Sequence, residues 1–596
     1  MCGIVGLVDL QGRFGAESLR RWCQDMRDTM VHRGPDDAGL WLSPDGRVAF
    51  GQRRLSILDT SPAGHQPMLS PAGGAITFNG EIYNFPSLRA ELEGKGNAFR
   101  SHCDTEVLLA GLDGEGEGFL DRVDGMYAFA HWDGRSGRLL LARDRFGEKP
   151  LYTYCSGGLF AFASELSAFS RLPSFDNRVG RDAIAHYLCF QYVPAPASIY
   201  QAAGKLPPGT CVEVAADGSL RTVWRWRFRS SDLPHAKAPL GEMADALEDI
   251  LLRSVRDRLI SDVPLGAFLS GGVDSSTVVA MVTKRLNRSI RTFSIGFEGA
   301  GDSEHEDARA MARHLGTEHA DEILRPASLP EMVRSMGAIL DEPNGDSSIV
   351  PTWFLSRLAR RSVTVALSGD GGDEMFGGYG RYFSTLTDTR ASRPNWSPGS
   401  AYYSTRILFL TEPDFDVLFG ATPPSLAATL ADLRGGIDAD PRPLMNRLRD
   451  ADAGHYLPGA VLAKVDRMSM QHSLEVRSPL LGNEVAAFAA ALAEDQCWDG
   501  VAGKRVLKEV ARRYIPADWI DRPKRGFGLP MREWAEGVAM AAAEELTAPG
   551  CRLAEWLGQD ALNAYMERQR RQPLLYHLWA LMIMETWLRS HSARPA

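Results

Sequence analysis

The sequence predicts a two-domain α/β protein, and three observations lead to this fold class. The chain has 596 residues, more than one hydrophobic core usually serves. Up to about residue 225 it consists of short strand-like runs separated by Gly, Pro, Asn and Asp. Beyond residue 239, strands alternate with helices, which is typical of a parallel sheet. We therefore predict a first domain over 2–225, a linker over 226–239 and a second domain over 240–596.

The first domain is predicted to contain stacked sheets with a few covering helices. Its amphipathic helices are expected at Ser18–Met30 and Thr105–Leu112. Its strands are expected at Arg47–Phe50, Ala75–Phe78, Tyr127–Trp132, Leu139–Ala142 and Leu159–Ala163. The polar segment Ser230–Pro239 carries two prolines and suits a linker.

The second domain begins with a predicted helix, followed by strands that end in glycine-rich turns. The helix follows from apolar residues at helical spacing, namely Met243, Leu247, Leu251, Val255 and Leu259. The next predicted elements are the strand Val263–Leu269, the helix Ser275–Leu286 and the strands Arg291–Phe297 and Val363–Leu367. From about Ala421 the chain is predicted to be mostly helical. A parallel sheet of this kind binds its ligand at the carboxyl ends of its strands.

Composition excludes several classes of protein. The chain is 44% hydrophobic with a net charge of −9, which argues against nucleic acid as the main partner. The N-terminus lacks the pattern of a secretory signal. The apolar stretch Leu574–Leu588 is too short to span a membrane, so we predict a buried or interface helix there. Eight scattered cysteines without a C-x-x-C pair indicate neither a zinc site nor a disulfide framework. We expect a reduced, cytoplasmic protein without a membrane partner.

Cys2 is a candidate nucleophile because removal of Met1 would place its thiol beside a free α-amine. The amine has a reference pKa of about 7.7–8.0 and can accept the thiol proton near neutrality. A cysteine at this position is weak evidence alone, but the motifs that follow strengthen it. These are HRGPDDAG (His32–Gly39), RRLSILD (Arg53–Asp59), FNGEIYN (Phe78–Asn84), CDTEVLL (Cys103–Leu109) and DGMYAFAHWD with ARDRFGEKPLY (within Asp124–Tyr152).

In this order, the motifs resemble the class II glutamine amidotransferase domain over roughly the first 200 residues. The resemblance implies an N-terminal-nucleophile fold, an αββα sandwich, that hydrolyses glutamine through a thioester on Cys2. It also implies that Arg54 binds the glutamine α-carboxylate and that Glu81 and Asp104 hold its α-amine. Asn79 and the Gly80 amide would form the oxyanion hole. Such roles suit a free amino acid, which carries both charges, and a tetrahedral intermediate, which needs donors placed in advance.

The segment Leu269–Ser276, LSGGVDSS, lies between a predicted strand and a predicted helix. Two glycines let the backbone approach a phosphate, and the helix N-terminus favours its charge. No G-x-x-x-x-G-K-[ST] motif occurs in the chain. This segment resembles the pyrophosphate loop of the N-type ATP pyrophosphatases. The resemblance implies a Rossmann-like, adenine nucleotide alpha hydrolase-like domain that splits ATP into AMP and pyrophosphate.

A second turn, LSGDGGDEMFGGY (Leu367–Tyr379), resembles the corresponding loop of the asparagine synthetases. So do three later segments, LAKVDRMSMQHSLEVRSPLL (Leu462–Leu481), GKRVLKE (Gly503–Glu509) and RPKRGFGLP (Arg522–Pro530). This resemblance implies ATP and Mg²⁺ as cofactors, with Asp274 and Asp373 as metal ligands. The implied contacts to ATP or pyrophosphate are Leu269, Ser270, Gly271, Gly272, Asp274, Ser275, Ile295, Ser368, Gly369 and Lys504.

Two departures from the family concern the acceptor. Several asparagine synthetases read SGEGSDE where this chain reads SGDGGDE, so Asp370 inherits the role of a glutamate that assists ammonia attack. The usual PFLD is PLLGN here (Pro479–Asn483). Residues near DEPNGDSS (Asp341–Ser348) are expected to line the acceptor pocket, although nothing in them specifies aspartate.

The leading hypothesis is an enzyme that uses glutamine, aspartate and ATP to form asparagine, glutamate, AMP and pyrophosphate. An alternative keeps this mechanism but amidates a uronic acid, a sugar acid or a peptide carboxylate. A non-catalytic sensor on the same fold would show degenerate motifs, and these motifs are intact. Relatives that form β-lactams lack the cysteine. Phosphoribosyl and hexosamine amidotransferases lack the SGGVDSS turn. Analogy with the family suggests a homodimer.

Overall fold

The computed structural model describes residues 2–231, 238–299, 304–325, 329–388, 397–405, 407–522 and 526–596. Part of the predicted linker Ser230–Pro239 and part of the RPKRGFGLP segment (Arg522–Pro530) lie outside the described residues.

The first half of the chain is built mainly from strands. In chain order they are β1 (Cys2–Asp9), β2 (Asp37–Leu42), β3 (Val48–Arg54), β4 (Met68–Leu69), β5 (Ala75–Ile82), β6 (Gly125–Trp132), β7 (Leu139–Arg143), β8 (Tyr152–Ser156), β9 (Leu159–Ala163), β10 (Arg178–Val179), β11 (Ala203–Lys205), β12 (Thr210–Val214) and β13 (Leu220–Arg225). The α-helices of this half are α1 (Ala16–Asp28), α2 (Phe85–Gly94), α3 (Asp104–Glu115) and α4 (Arg181–Phe190). Each predicted strand and helix is present, with ends that differ by a few residues.

Two six-stranded sheets face each other in this half. Their strand orders are β11-β8-β9-β1-β3-β2 and β13-β12-β7-β6-β5-β4. Ile4 and Phe162 of the first sheet and Ala128 and Leu141 of the second belong to one buried cluster between them. Because side chains alternate along a strand, Cys2 shares the inner face with Ile4.

Helices cover the outer faces of both sheets. Leu19 and Met26 of α1 are buried with Val5 against the first sheet. Leu88 of α2 and Val107 of α3 are buried in the cluster of the second sheet. The layering is therefore α-β-β-α, and the predicted N-terminal-nucleophile sandwich is confirmed.

The second half contains a parallel sheet and many helices. Its strands are β14 (Leu265–Phe268), β15 (Arg291–Phe297), β16 (Glu318–Leu324), β17 (Val365–Leu367), β18 (Glu475–Arg477) and β19 (Arg594–Pro595). Its helices up to residue 451 are α5 (Leu240–Arg258), α6 (Val273–Ala280), α7 (Glu304–Leu315), α8 (Leu329–Ile339), α9 (Ile349–Arg360), α10 (Gly372–Phe376), α11 (Gly380–Asp388), α12 (Pro398–Thr405), α13 (Glu412–Phe419), α14 (Pro424–Asp438) and α15 (Leu444–Ala451). The later helices are α16 (Ala463–Met470), α17 (Asn483–Ala490), α18 (Glu494–Cys497), α19 (Arg505–Ala511), α20 (Ala517–Ile520), α21 (Ala535–Leu546), α22 (Ala554–Leu557), α23 (Gln559–Arg571) and α24 (Leu575–Ser590).

The five-stranded sheet has the order β16-β15-β14-β17-β18, and every neighbouring pair is parallel. Counted in chain order this is 3-2-1-4-5, the arrangement of a Rossmann-like sheet. The order reverses between β14 and β17, so a ligand is expected at the carboxyl ends of these two strands. The two glycine-rich turns follow these strands, and the predicted Rossmann-like second domain is confirmed.

Two features of the second half differ from or refine the sequence-based prediction. The region after Ala421 is mostly helical, but it also supplies β18, the edge strand of the parallel sheet. A π-helical segment, Asp452–Leu462, contains Pro458 and leads directly into α16. The apolar stretch at 574–588 forms α24, which is buried along most of its length, as predicted. No helix within the described residues is long and apolar enough to cross a membrane.

Candidate active sites

The first group of predicted residues, which we name the Cys2 site, comprises Cys2, Arg54, Asn79, Gly80, Glu81 and Asp104. Cys2 lies directly opposite Arg54 in the pairing of β1 with β3. The Cys2 backbone nitrogen donates a hydrogen bond to Asn79 Oδ1 across the two sheets, at 2.8 Å. Asn79 is fully buried, and its Nδ2 has no acceptor among the residues that the structure describes. An amide donor close to Cys2 is therefore available for a ligand.

Cys2 is 6% exposed. Burial raises its pKa, and the positive charge of Arg54 opposes this only in part. A buried thiol of this kind is protonated at neutral pH, so it needs a base close by before it can act as a nucleophile.

Arg54 is held by the main chain. Its Nη2 donates to the carbonyl oxygens of Leu58 at 2.9 Å and Asp59 at 2.7 Å. A Cβ atom at Gly64 would lie 2.0 Å from Nη2, so only glycine allows this approach. Within the described ranges, Arg54 forms no ion pair with a carboxylate. Its charge is thus fixed in position and available to an anion.

The other members of the Cys2 site are also buried. Asp104 begins α3, and its Oδ2 accepts a hydrogen bond from the Ile82 nitrogen at 2.8 Å. Burial raises the pKa of Asp104. Gly80 has no space for a side chain, because a Cβ atom would lie 2.1 Å from the carbonyl oxygen of Met126. The structure thus brings all six predicted residues to one end of the two-sheet sandwich.

Glu81 has a partner that the sequence did not predict. Its Oε1 lies 3.5 Å from Arg477 Nη2 on β18, in the second half of the chain. Burial and then the charges of Glu475 and Asp104 raise the pKa of Glu81 well above its usual range. Arg477 Nε also donates to Glu475 Oε1 at 2.7 Å. In the sequence, Arg477 lies in the Leu462–Leu481 segment that resembles the asparagine synthetases, but nothing in that segment pairs it with Glu81.

The second group, which we name the glycine-loop site, lies at the carboxyl ends of β14 and β17. Gly271 has φ of 80°, a conformation that favours glycine. Ser270 and Ser275 hydroxyls lie 3.1 Å apart beside the N-terminus of α6. The second loop packs against the first, since a Cβ atom at Gly369 would lie 2.7 Å from the Ser275 nitrogen. The two predicted loops therefore form one surface of backbone amides and hydroxyls.

Lys504 joins the two loops. Its Nζ lies 2.5 Å from Asp274 Oδ2 and 2.7 Å from Asp373 Oδ1. Burial acts to lower the pKa of Lys504, but the two carboxylates outweigh it and raise that pKa above its usual range. Lys504 itself has φ of 56° and precedes α19. The sequence placed these three residues at one site, and the structure brings them into contact.

The two carboxylates fit a magnesium ion. Asp274 and Asp373 both reach the same ammonium group, so they are close enough to share one cation. Among the residues that the structure describes, no group of three or more His, Cys, Asp or Glu side chains could hold a metal ion. Two carboxylates completed by water and phosphate oxygens are a common environment for Mg²⁺.

Asp370 belongs to the second loop, and Lys464 lies near it. Burial raises the pKa of Asp370, and the positive charge of Lys464 acts against this. Lys464 Nζ binds Ser348 Oγ at 2.7 Å and Asp346 Oδ2 at 3.2 Å. The DEPNGDSS segment therefore lies at this site, as the sequence indicated, whereas Lys464 was not singled out.

The remaining predicted residues are buried within or at the ends of strands β14, β15 and β17. Leu269 and Ile295 are 1% and 3% exposed, at the end of β14 and within β15. The Ser368 nitrogen donates to the carbonyl oxygen of Arg477 at 2.9 Å. Arg477 therefore contacts the Cys2 site with its side chain and the glycine-loop site with its main chain.

Comparison with known proteins identifies both halves. The family model for asparagine synthase matches residues 246–589, and the model for the glutamine amidotransferase domain matches residues 1–225. The chain belongs to the asparagine synthase family. Its resemblance to that family and to the class II amidotransferases, predicted from the motifs, is confirmed.

Members of the asparagine synthase family match along nearly the whole chain. Asparagine synthetase [glutamine-hydrolyzing] 1 of Bacillus subtilis (strain 168) is 32% identical, over 90% of this chain and 88% of the relative. A putative asparagine synthetase of Mycobacterium tuberculosis (strain ATCC 25618 / H37Rv) is 32% identical, over 98% of this chain and 97% of the relative. A solved structure of an allosteric regulatory enzyme of purine biosynthesis covers 54% of this chain and 80% of its own at 16% identity. Its TM-score of 0.31 is too low to support an argument.

Proposed function

We propose that this protein is a glutamine-hydrolysing asparagine synthetase that converts glutamine, aspartate and ATP into asparagine, glutamate, AMP and pyrophosphate. Residues 2–225 would hydrolyse glutamine and residues 240–596 would activate aspartate, with 226–239 as the linker. One observation carries the proposal: Arg477 touches both sites. Its guanidinium lies at Glu81 and its carbonyl oxygen accepts from Ser368. Two reaction centres that share a residue suit a single coupled reaction.

Glutamine hydrolysis is assigned to the Cys2 site. The Cys2 α-amine, exposed once Met1 is removed, takes the thiol proton, and the sulfur attacks the side-chain amide carbon of glutamine. Asn79 Nδ2 and the Gly80 amide stabilise the oxyanion, which explains an amide donor that otherwise lacks an acceptor. The C–N bond breaks, ammonia leaves with the proton, and water hydrolyses the thioester to glutamate.

Recognition of glutamine needs both signs of charge. Arg54 is assigned to the α-carboxylate, since its guanidinium is fixed by carbonyl oxygens and is not neutralised by a described carboxylate. Asp104 and Glu81 are assigned to the α-ammonium group. An incoming ammonium group would lower the raised pKa of both carboxyls and favour their charged forms.

Ammonia must cross from one site to the other without meeting bulk water. A buried apolar cluster lies between the halves and joins Leu55, Tyr83 and Met126 of the first to Val365 and Met470 of the second. Val365 belongs to β17, whose carboxyl end carries the glycine-loop site. Apolar walls favour neutral ammonia over ammonium, because burial disfavours the charged form. This cluster is the assigned route.

Aspartate activation is assigned to the glycine-loop site. The β-carboxylate attacks the α-phosphorus of ATP, pyrophosphate leaves, and ammonia then displaces AMP from the acyl carbon. Ser270, Gly271, Gly272, Ser275, Ser368 and Gly369 present amides and hydroxyls to the phosphates, and Leu269 and Ile295 are assigned to adenine. Lys504 neutralises the departing pyrophosphate. Asp274 and Asp373 would hold Mg²⁺, which supplies further positive charge to that group.

Asp370 is assigned to proton removal from the attacking ammonia. It belongs to the second loop, and burial raises its pKa, which makes it a better base than an exposed carboxylate. Lys464 and Asp346 supply one charge of each sign nearby, which suits the α-carboxylate and α-amine of aspartate. Both relatives described above are named as asparagine synthetases, so acceptors such as uronic acids or peptides are not favoured.

The test is product analysis with purified protein. Glutamine, aspartate, ATP and Mg²⁺ are incubated with the enzyme, and amino acids and nucleotides are separated chromatographically. We expect equal amounts of asparagine, AMP and pyrophosphate. Formation of ADP and orthophosphate, or consumption of ATP with a uronic acid but not with aspartate, would contradict the proposal.

A further inference from the structure

A large cavity lies at the junction of the two halves, away from Cys2 and from the two glycine-rich loops, and Glu342 is its one lining residue from the DEPNGDSS segment. Its volume is about 550 Å³, within the range of pockets for small metabolites. Its walls come from the end of the first half, the segment Arg225–Arg229 and the π-helical segment Asp452–Leu462. Neither Cys2 nor Lys504 is among the lining residues. We name it the junction cavity.

Flat aromatic side chains form much of its wall. They are Tyr152, Tyr192, Trp226, Phe228 and Tyr403. Trp226 is held in place by Phe146, edge to face at 5.1 Å between centroids, and by Arg145, 5.4 Å from its ring. The Tyr403 hydroxyl is buried and has no partner among the described residues. Such a wall suits a planar ring that carries a hydrogen-bonding group.

The mouth of the junction cavity is positively charged. Arg225, Arg227 and Arg229 all line it, and all three side chains are exposed. None of them forms an ion pair with a carboxylate in the part of the chain that the structure describes. Arginine binds phosphate through two parallel N–H donors, so this group of side chains suits a phosphate.

Six acidic residues line the cavity, and five of them are paired with a basic residue or largely neutral, whereas Asp432 is exposed. Asp466 pairs with Arg33 at 2.9 Å. Asp440 and Asp450 pair with Arg442 at 2.5 and 2.7 Å. Glu342 pairs with Lys205 at 2.6 Å. Burial, and then the charge of Asp144, raise the pKa of Glu148 to about 8, so this residue is largely neutral at pH 7. A protein of net charge −9 therefore keeps a local positive excess around one aromatic cavity.

We propose that the junction cavity binds a nucleoside monophosphate. The base lies against Trp226 and Tyr403, and the phosphate is held by Arg227 and Arg229. The enclosed volume suits one nucleotide, and the net negative charge of the protein disfavours a nucleic acid polymer. The cavity adds a binding function to the reaction proposed above and does not depend on it.

Isothermal titration calorimetry on the full chain tests this proposal. GMP and UMP serve as probes, in a phosphate-free buffer, with uridine and inorganic phosphate titrated separately. We expect one site per chain for GMP or UMP. Uridine and inorganic phosphate should each bind at least about tenfold more weakly, because each offers only half of the contacts.

Variants locate the site. Arg227→Ala/Arg229→Ala changes two exposed side chains and is expected to weaken nucleotide binding about tenfold or more. Arg221→Ala is the matched control, since Arg221 is an exposed arginine on β13, shortly before these two residues, lies outside the cavity lining and pairs with Glu213. It should leave the affinity within about twofold of the wild type.

Lys504→Met reports on the other nucleotide site and should also leave GMP and UMP binding unchanged. The proposal is overturned if neither nucleotide binds saturably. It is equally overturned if the double arginine variant binds as the wild type does while Lys504→Met loses binding. Binding of inorganic phosphate as tight as that of UMP would exclude the role of the aromatic wall.

Discussion

The two sites of this protein hold their charged groups in different ways. At the Cys2 site the main chain holds two of them, since Arg54 is fixed by carbonyl oxygens and Asp104 by the Ile82 nitrogen, whereas Glu81 faces the charge of Arg477. At the glycine-loop site the charges hold one another, since Lys504 bridges Asp274 and Asp373.

This difference corresponds to the two kinds of chemistry proposed for these sites. Hydrolysis of an amide needs donors that are in place before the oxyanion forms, which favours rigid support. Binding of ATP with a metal brings in several charges at once, so the resident ion pairs must exchange partners. The comparison therefore predicts that the Cys2 site can be altered without affecting the second site, whereas the glycine-loop charges act together.

The largest effect is expected for Cys2→Ala. Loss of the sulfur removes the nucleophile, so glutamine-dependent synthesis should fall about 10⁴-fold or more. Ammonia-dependent synthesis should stay within about twofold of the wild type, because only the nitrogen source is lost. Steady-state assays with each nitrogen source measure the two rates. If glutamine-dependent and ammonia-dependent synthesis fall equally in a folded protein, the two sites are not separable and the contrast drawn between them is wrong.

Lys504→Met should reduce synthesis with either nitrogen source about 10³-fold. The variant leaves Asp274 and Asp373 side by side without their cation and removes a charge that stabilises pyrophosphate. Glutamine hydrolysis in the absence of ATP should persist. Lys508→Met is the matched control, one turn further along α19, where the lysine is paired with Asp521. If the control is equally inactive, the effect arises from α19 and not from the bridge between the loops.

Asn79→Ala should reduce glutamine-dependent turnover about 10²-fold, the usual cost of one oxyanion donor. The rate of thioester formation, measured by rapid quench with labelled glutamine, should fall more than glutamine binding does. Ammonia-dependent synthesis reports on the integrity of the second half and should be unaffected. A change in KM alone would indicate that Asn79 binds the ground state and does not stabilise the intermediate.

The smallest effect concerns stability and pH. Burial, followed by the charge of Asp373, raises the pKa of Glu374 to about 7. Between its unfolded value of about 4.5 and pH 7 the folded protein holds this proton more tightly, so stability should fall as pH rises through that window. Glu374→Gln mimics the protonated form and should be more stable than the wild type by up to about 3 kcal/mol at pH 8.

Urea-denaturation midpoints at pH 5 and pH 8 measure this difference, with the exposed Glu567→Gln as control. At pH 5 the advantage of Glu374→Gln should be small, because wild-type Glu374 is then mostly protonated. An advantage of the same size at both pH values would exclude titration as its cause.

Motifs predicted those parts of both sites that are local in the chain. Cys2, Asn79 and the SGGVDSS loop could be singled out because each depends on a few consecutive residues and a strand or helix end. Lys464 and Arg477 were not found, because their partners lie in distant segments and are fixed only when the sheets pack together. The π-helical segment Asp452–Leu462 was also missed as such, since Pro458 ordinarily interrupts a helix.

Sheet order could be argued only in part from sequence. Alternation of strands and helices predicted a parallel sheet, but β18 lies within a helical region and has three residues. Its assignment depends on pairing with β17, which no local pattern reveals. This short strand supplies Glu475 and Arg477, so the prediction lacked the part of the second half that reaches the Cys2 site.

The position of Arg477 restricts how such a protein can be recombined. A hybrid that exchanges residues 2–225 for those of a relative would place a foreign surface against Glu475 and Arg477. Any mismatch there would leave an ion buried without its partner, at a cost of about 3–5 kcal/mol. The transferable unit is therefore not a continuous stretch of chain: a workable graft must carry β18 along with the N-terminal half.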